Sequence, residues 1–234
     1  MSDHKSQINS AIYSALSKSE GNVYEHIEEI FQTEFHKPSS SMLELRRKTE
    51  KSKGDLFESF CVLYLEKKGY TCWKLKDLPD LIRESLHLTK QDIGIDLIAK
   101  CMSNHKKEED RIELWFPIQV KFRSESKDNQ GRTVRRVTWR DISTFLSLCT
   151  RTGPEHGWSK HIIFTNANSV CWKGKKNKKD YTIARGTLTG QDKIFWSSFI
   201  NKKESNPVVD LKNKKESIND LRENWLNRIS KIEK

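Results

Sequence analysis

Asp96 sits in an otherwise apolar run, Ile95-Asp96-Leu97-Ile98, and further along Gln119 and Lys121 alternate with Ile118, Val120 and Phe122. Side chains of a strand have period two, so Gln119 and Lys121 project from one face. If the two segments pair as a hairpin, a carboxylate, an amide oxygen and an ammonium group converge where a sheet would otherwise present apolar side chains. A carboxylate and a carbonyl-type oxygen suit a hard cation such as Mg²⁺, with Mn²⁺ as the alternative ion. Such an ion activates water and offsets charge at a phosphorane-like transition state. A neighbouring lysine orients or deprotonates the water and neutralises developing charge. The chemistry these types and spacings suit is phosphodiester hydrolysis. Glu58, which follows Phe57 and flanks a buried helical face, is the best candidate for a fourth member. Asp92 is the alternative acid to Asp96, but it lies outside the apolar run and reads as a turn residue or as one that supports the ligands from behind. Gln91 reads as a loop amide.

Elements that could hold these residues emerge from hydrophobic periodicity. Ile8, Ala11, Ile12, Ala15 and Leu16 mark one amphipathic helix, and Val23, Ile27, Ile30 and Phe31 a second. The run Lys37-Pro38-Ser39-Ser40-Ser41 separates these two helices from the rest of the chain. A helix is expected from Asp55, with Leu56, Phe57, Phe60, Cys61, Tyr64 and Leu65 inward and Gly69 as its stop. Strands are expected at residues 70–75, 93–99, 112–122 and 161–165, with another at 183–188. Residues 77–90 read as irregular. A helix at 138–149 begins with a Thr138/Asp141 cap signal. Residues 194–200 form a short apolar helix or strand. The last helix, 217–231, carries Ile218, Leu221, Trp225, Leu226 and Ile229 at helical spacing. The core order α-β-β-β-α-β is that of an α/β fold with a mixed sheet flanked by helices.

The formal charge is +11, with 43 Lys plus Arg against 32 Asp plus Glu. That excess favours a polyanionic partner through counterion release. Arg135 and Arg136, just before the helix that comes after the Gln119–Lys121 strand, are candidates for phosphate contacts. So are Lys173, Lys175 and Lys176 in the basic run 173–179. Solvated surface is the competing reading for all five. Trp172 beside the lysines could stack on a base. Five cysteines without a Cys-x-x-Cys argue against a disulfide framework or structural zinc and suit a reducing, intracellular compartment, cytoplasm or nucleus. No secretory leader and no membrane span is expected.

Gly54-Asp55-Leu56-Phe57-Glu58, then Gly94-Ile95-Asp96, then Gln119-Val120-Lys121 resembles the Mrr-like branch of the PD-(D/E)XK, or restriction-endonuclease-like, nucleases, with its pattern G-x-x-F-E, G-x-D and Q-x-K. The resemblance runs from about Gly54 to Phe199. The nearest form is the nuclease domain at the N-terminus of some helicase or restriction-type proteins. It implies a restriction-endonuclease-like core with helical extensions at both ends. Glu58 and Asp96 are then acidic metal-site residues, Gln119 replaces the usual second acid, and Lys121 is the catalytic lysine. The expected divisions are 1–53, a helical N-terminal extension; 54–200, the nuclease-like domain; and 201–234, a basic linker with an amphipathic helix.

The expected function is Mg²⁺-dependent endonuclease action on nucleic acid, DNA in preference to RNA. The rival is a catalytically inert nuclease fold that binds nucleic acid or docks a helicase-type protein partner. Homodimerisation is open, and no membrane partner is expected.

Overall fold

The longest helix is organised by one apolar face and one terminator. Leu56, Phe57, Phe60, Cys61, Tyr64 and Leu65 recur at helical spacing, and each is at most 2% exposed. The helix ends where Gly69 takes φ +86°, a conformation that costs glycine little. There the Tyr70 N–H reaches back to the Leu65 carbonyl at 3.0 Å.

The computed structural model describes residues 2–18, 20–33, 42–90, 94–104, 111–127, 130–173 and 176–200. Its helices are α1 (Ser2–Ser17), α2 (Val23–Thr33), α3 (Met42–Lys67), α4 (Asp80–Ser85), α5 (Trp139–Cys149), α6 (Arg185–Thr189) and α7 (Lys193–Ser197). Its strands are β1 (Thr71–Lys74), β2 (Leu97–Met102), β3 (Glu113–Lys121), β4 (Ser126–Lys127), β5 (Thr133–Val134), β6 (Arg136–Val137), β7 (His161–Thr165), β8 (Ser169–Val170) and β9 (Asp180–Ile183).

The main sheet has the order β1-β2-β3-β7-β9. β1, β2 and β3 are antiparallel neighbours, whereas β3, β7 and β9 run parallel. This is a mixed sheet of five strands with helices on both faces. On one face α3 covers it, with Phe57 against Phe122 and Phe164 at 5.1 and 5.9 Å between ring centroids. On the other face α5 buries Ile142, Phe145 and Cys149 among Ile98, Ile163, Val137 and Trp158. α1 and α2 add Ile8, Ile12, Tyr24, Ile27 and Phe31, none more than 2% exposed, and Tyr24 stacks on Trp196 of α7. Fully burying each such side chain contributes roughly 1.5–3 kcal/mol.

The structure departs from the sequence expectations in several places. The helix expected from Asp55 starts at Met42, so position 53/54 falls inside α3. Residues 77–90 are ordered by a 3₁₀ turn at Leu75–Asp77 and by α4, with Leu78, Leu86 and Leu88 buried. Buried Arg83 holds this segment, its Nη2 donating to the Leu75 and Leu78 carbonyls at 3.2 and 2.7 Å. β2 begins at Leu97 rather than Ile93, because Gly94 at φ +110° cannot continue an extended strand. The strand expected at 183–188 is instead the end of β9 and then α6. β9 opens on a buried acid, Asp180, whose carboxylate meets His161 Nδ1 at 3.0 Å, and that pairing lets a charged residue occupy the strand. The stretch 194–200 is helical at α7. The helix expected at 217–231 lies outside the described residues. Among the described residues, no helix is long and apolar enough to cross a membrane.

Candidate active site

Asp96 stands at the junction of three strands. Its N–H donates to the Ile118 carbonyl of β3 at 2.9 Å, and its carbonyl accepts the Leu75 N–H at the end of β1 at 2.9 Å. Its side chain then accepts the Val120 N–H, Oδ2 to N 2.6 Å. A backbone N–H of a strand points along the sheet plane toward the neighbouring strand. The carboxylate therefore takes the place that a main-chain carbonyl of β2 would have filled, and the ladder between β2 and β3 ends there.

Val120 lies between Gln119 and Lys121. Gln119 pairs across the sheet with Ile163, and its Nε2 lies 3.8 Å from where a Cβ on Gly94 would stand. Both neighbours put Gln119 on the α5 face, and Lys121, two residues on and opposite Thr165, projects from that face too. Gln119 is 3% exposed, and its Oε1 is buried with no hydrogen-bond partner among the described residues. Such an atom costs on the order of 1–3 kcal/mol unless a donor or a cation meets it. Among the described residues, no carboxylate pairs with the Lys121 ammonium.

Glu58 comes from α3, on the opposite face. Its Oε2 lies 3.6 Å from Lys74 Nζ, and that lysine, only 8% exposed, also donates to the Asp55 carbonyl at 3.3 Å. Cys61, one helical turn beyond Glu58, senses both acids. Burial pushes its thiol well above the ordinary range, and the negative charges of Glu58 and Asp96 push it further, with Lys74 opposing. The four expected site residues group as Asp96 at the strand end, Gln119 and Lys121 on the α5 face, and Glu58 on the α3 face. Asp96 is the member that stands between the two faces.

Two residues escaped the sequence reading. Lys74 comes two positions after Cys72 in strand alternation, so its buried position was signalled by parity. Glu28 lies four residues after Tyr24 on α2 and shares the buried face of Ile27 and Phe31, where an acid is exceptional.

The expected phosphate contacts divide between surface and interior. Arg136 and Lys173 are exposed, Lys176 is exposed with its Nζ 5.4 Å from the Trp172 ring, and Lys175 lies outside the described residues, as do Gln91 and Asp92. Trp172 is partly buried against the α5-side core. Arg135 turns inward: its side chain is 13% exposed and pairs with Glu28 at 3.3 Å and Glu125 at 2.8 Å. Its expected phosphate contact must compete with those two carboxylates.

A mixed sheet of order β1-β2-β3-β7-β9, with helices on both faces and an acid at the start of β2, defines a restriction-endonuclease-like fold. The family model for restriction endonucleases of the Mrr catalytic type matches residues 64–205, more than half of the chain. The chain belongs to this family, a family of nucleases. Asp96, Gln119 and Lys121 lie within the matched span, and Glu58 lies before it. No curated protein and no solved structure gives a match to the chain.

Proposed function

We propose that the protein is a divalent-metal-dependent endonuclease acting on DNA, with Asp96 as its central acid. The observation that carries the reading is the Asp96–Val120 bond, which ties a carboxylate to the strand segment bearing Gln119 and Lys121. Fit to a hard cation is supported by the donor set. Two carboxylates and an amide oxygen are the oxygen ligands Mg²⁺ or Mn²⁺ takes, and the Gln119 Oε1 is a buried acceptor without a protein donor among the described residues. Among the described residues, no three His, Cys, Asp or Glu side chains cluster as a metal site, and the proposed set takes the Gln119 amide as its third oxygen donor.

Asp96 and Gln119 would hold the ion, and Glu58, which lies on the opposite face, would have to reach it past the strand end where Asp96 stands. Bound there, the ion supplies positive charge to the scissile phosphate and acidifies a water. The remaining work falls to protein groups. The Val120 N–H fixes the Asp96 carboxylate, so its second oxygen is aimed before any ligand arrives. Lys121, without a carboxylate partner among the described residues, can donate to a phosphate oxygen or take a proton from the attacking water. The charge of +11 supplies attraction for the backbone of a long polyanion. Arg136, Lys173, Lys175 and Lys176 are the proposed phosphate contacts.

Incubating the protein with plasmid, linear duplex and single-stranded DNA, each with Mg²⁺, Mn²⁺ or EDTA, tests the proposal. Metal-dependent nicking or linearisation of the plasmid is the expected result. Salt-sensitive binding without cleavage under any metal would instead establish the inert module.

A further inference from the structure

Lys121 is the last residue of the β3–β7 ladder, opposite Thr165, and the chain from Phe122 to Glu125 has no regular structure. A strand end of that kind frays unless other groups hold its backbone. Thr165 closes β7 and Asn166 follows it, and both are 0% exposed. Polar side chains buried so deeply need partners. Thr165 Oγ1 donates to the Lys121 carbonyl at 2.6 Å and accepts the Ala167 N–H at 3.0 Å. Asn166 clasps the backbone of Arg123, its Oδ1 accepting the N–H at 2.7 Å and its Nδ2 donating to the carbonyl at 2.9 Å.

The amide is itself oriented. Its Nδ2 also donates to Oε1 of Glu28 at 2.8 Å, a carboxylate of α2 that is 2% exposed. An ionised carboxylate only accepts, so Glu28 fixes which end of the amide meets the Arg123 N–H. Glu28 Oε2 is held in turn by Arg185 Nε at 3.2 Å and Arg135 Nη1 at 3.3 Å.

These bonds surround one residue. Before Lys121, the Val120 N–H is held by Asp96, and at Lys121 the carbonyl is held by Thr165. After it, the Phe122 ring packs on Phe57 on the α3 side, and Arg123 is clasped at both main-chain groups. The Cα–Cβ direction of Lys121 toward the α5 face is thereby set. The lysine stem is a flexible four-carbon chain, and a shift at its root is carried to the ammonium. We infer that Thr165 and Asn166 are positioning residues for Lys121. Two buried side chains at the end of β7 hold the backbone from which the lysine reaches the scissile phosphate. The inference rests on the nuclease reading above.

The test uses the full chain with Thr165→Val, which removes the hydroxyl, Thr165→Ser, which keeps it, and Asn166→Ala. Single-turnover cleavage of plasmid in Mg²⁺ is measured beside Mn²⁺ affinity without DNA. The rate should fall about tenfold in Thr165→Val and Asn166→Ala, since misplacing a reacting group by about 1 Å is costly. Thr165→Ser should stay within about twofold of wild type, because it keeps the bond to the Lys121 carbonyl. Mn²⁺ affinity should hardly move in any of the three, because Gln119 lies within the ladder and Asp96 comes from the segment before β2. In a Lys121→Met background, Thr165→Val should cost no further rate, since the residue it positions is gone. Asn166→Ala in that background decides the matter if Thr165→Val does not fold. An unchanged rate, an Mn²⁺ affinity that falls with the rate, or the same loss without the lysine overturns the inference. Wild-type protein that cuts under no metal removes the nuclease reading and the inference with it. Active wild-type protein with unmoved variants removes the inference alone.

Discussion

The carboxylate of Asp96 accepts the main-chain N–H of Val120 at 2.6 Å, closing the β2–β3 ladder with a side chain. One oxygen is thereby assigned a structural duty beside any catalytic one, and the two duties are separable by mutation. Asp96→Asn keeps an acceptor for Val120, so its unfolding free energy should stay within about 1 kcal/mol of wild type. Asp96→Ala leaves that N–H unpaired and should cost about 1–3 kcal/mol. Both should abolish Mg²⁺-dependent cleavage. Denaturant melts paired with plasmid assays check the divergence, and equal stability of the two variants would deny the bond its structural part.

Lys121→Met should lower the cleavage rate by on the order of 10²-fold or more, the usual share of a positioned proton-transfer group. Single-turnover kinetics at saturating DNA measure this. Thermal stability should barely move, because no carboxylate pairs with the ammonium among the described residues.

Lys74 sits 3.6 Å from Glu58, so a fixed positive charge already occupies the neighbourhood of one proposed ligand. Lys74→Met should lower the Mg²⁺ concentration for half-maximal activity several-fold, since it removes repulsion between the ammonium and the ion. A metal titration of initial rates reads the shift. An unchanged or higher half-saturation would place Glu58 away from the ion.

Much of this arrangement was written in the chain. Period-two alternation identified β3 and the shared face of Gln119 and Lys121, and the Thr138/Asp141 signal marked the start of α5, where the Asp141 carboxylate accepts the Thr138 N–H at 2.8 Å. What escaped were features set by tertiary contact. β2 starts late because Gly94 turns the chain, and no hydropathy pattern shows a φ of +110°. Arg135 resembles a phosphate contact until Glu28, more than a hundred residues earlier in the chain, is found beside it. Lys74 and Glu28 did carry a local signal, a charge at an apolar position in the period, and such violations mark sites worth inspecting.

Gly94 is held at φ +110°, and a Cβ there would stand 3.4 Å from the Phe145 N and 3.8 Å from Gln119 Nε2. Gly94→Ala should cost about 1–3 kcal/mol through backbone strain, because every contact of the added Cβ is an ordinary one and only the positive φ opposes it. Thermal melts measure the effect.

Burial opposes ionisation of Asp141, but the Thr138 N–H and hydroxyl and the Arg123 guanidinium outweigh it and hold the carboxyl below its usual range. The folded pKa lies below the unfolded value of about 3.9. The stabilisation is thus complete above that pH and is lost as pH falls through the folded pKa. Asp141→Asn should lose about 1 kcal/mol near neutrality, as for a helix cap, and should show a shallower acid limb. Urea melts between pH 2 and 7 would show both.

Binding of Mn²⁺, monitored by its electron paramagnetic resonance signal in wild type and in Asp96→Asn, bears most directly on the proposed centre, because it needs neither substrate nor turnover. Wild-type protein should take up the ion at a saturable site, and Asp96→Asn should weaken that uptake at least tenfold while remaining folded. Equal uptake by the two proteins would contradict a metal centre built on Asp96.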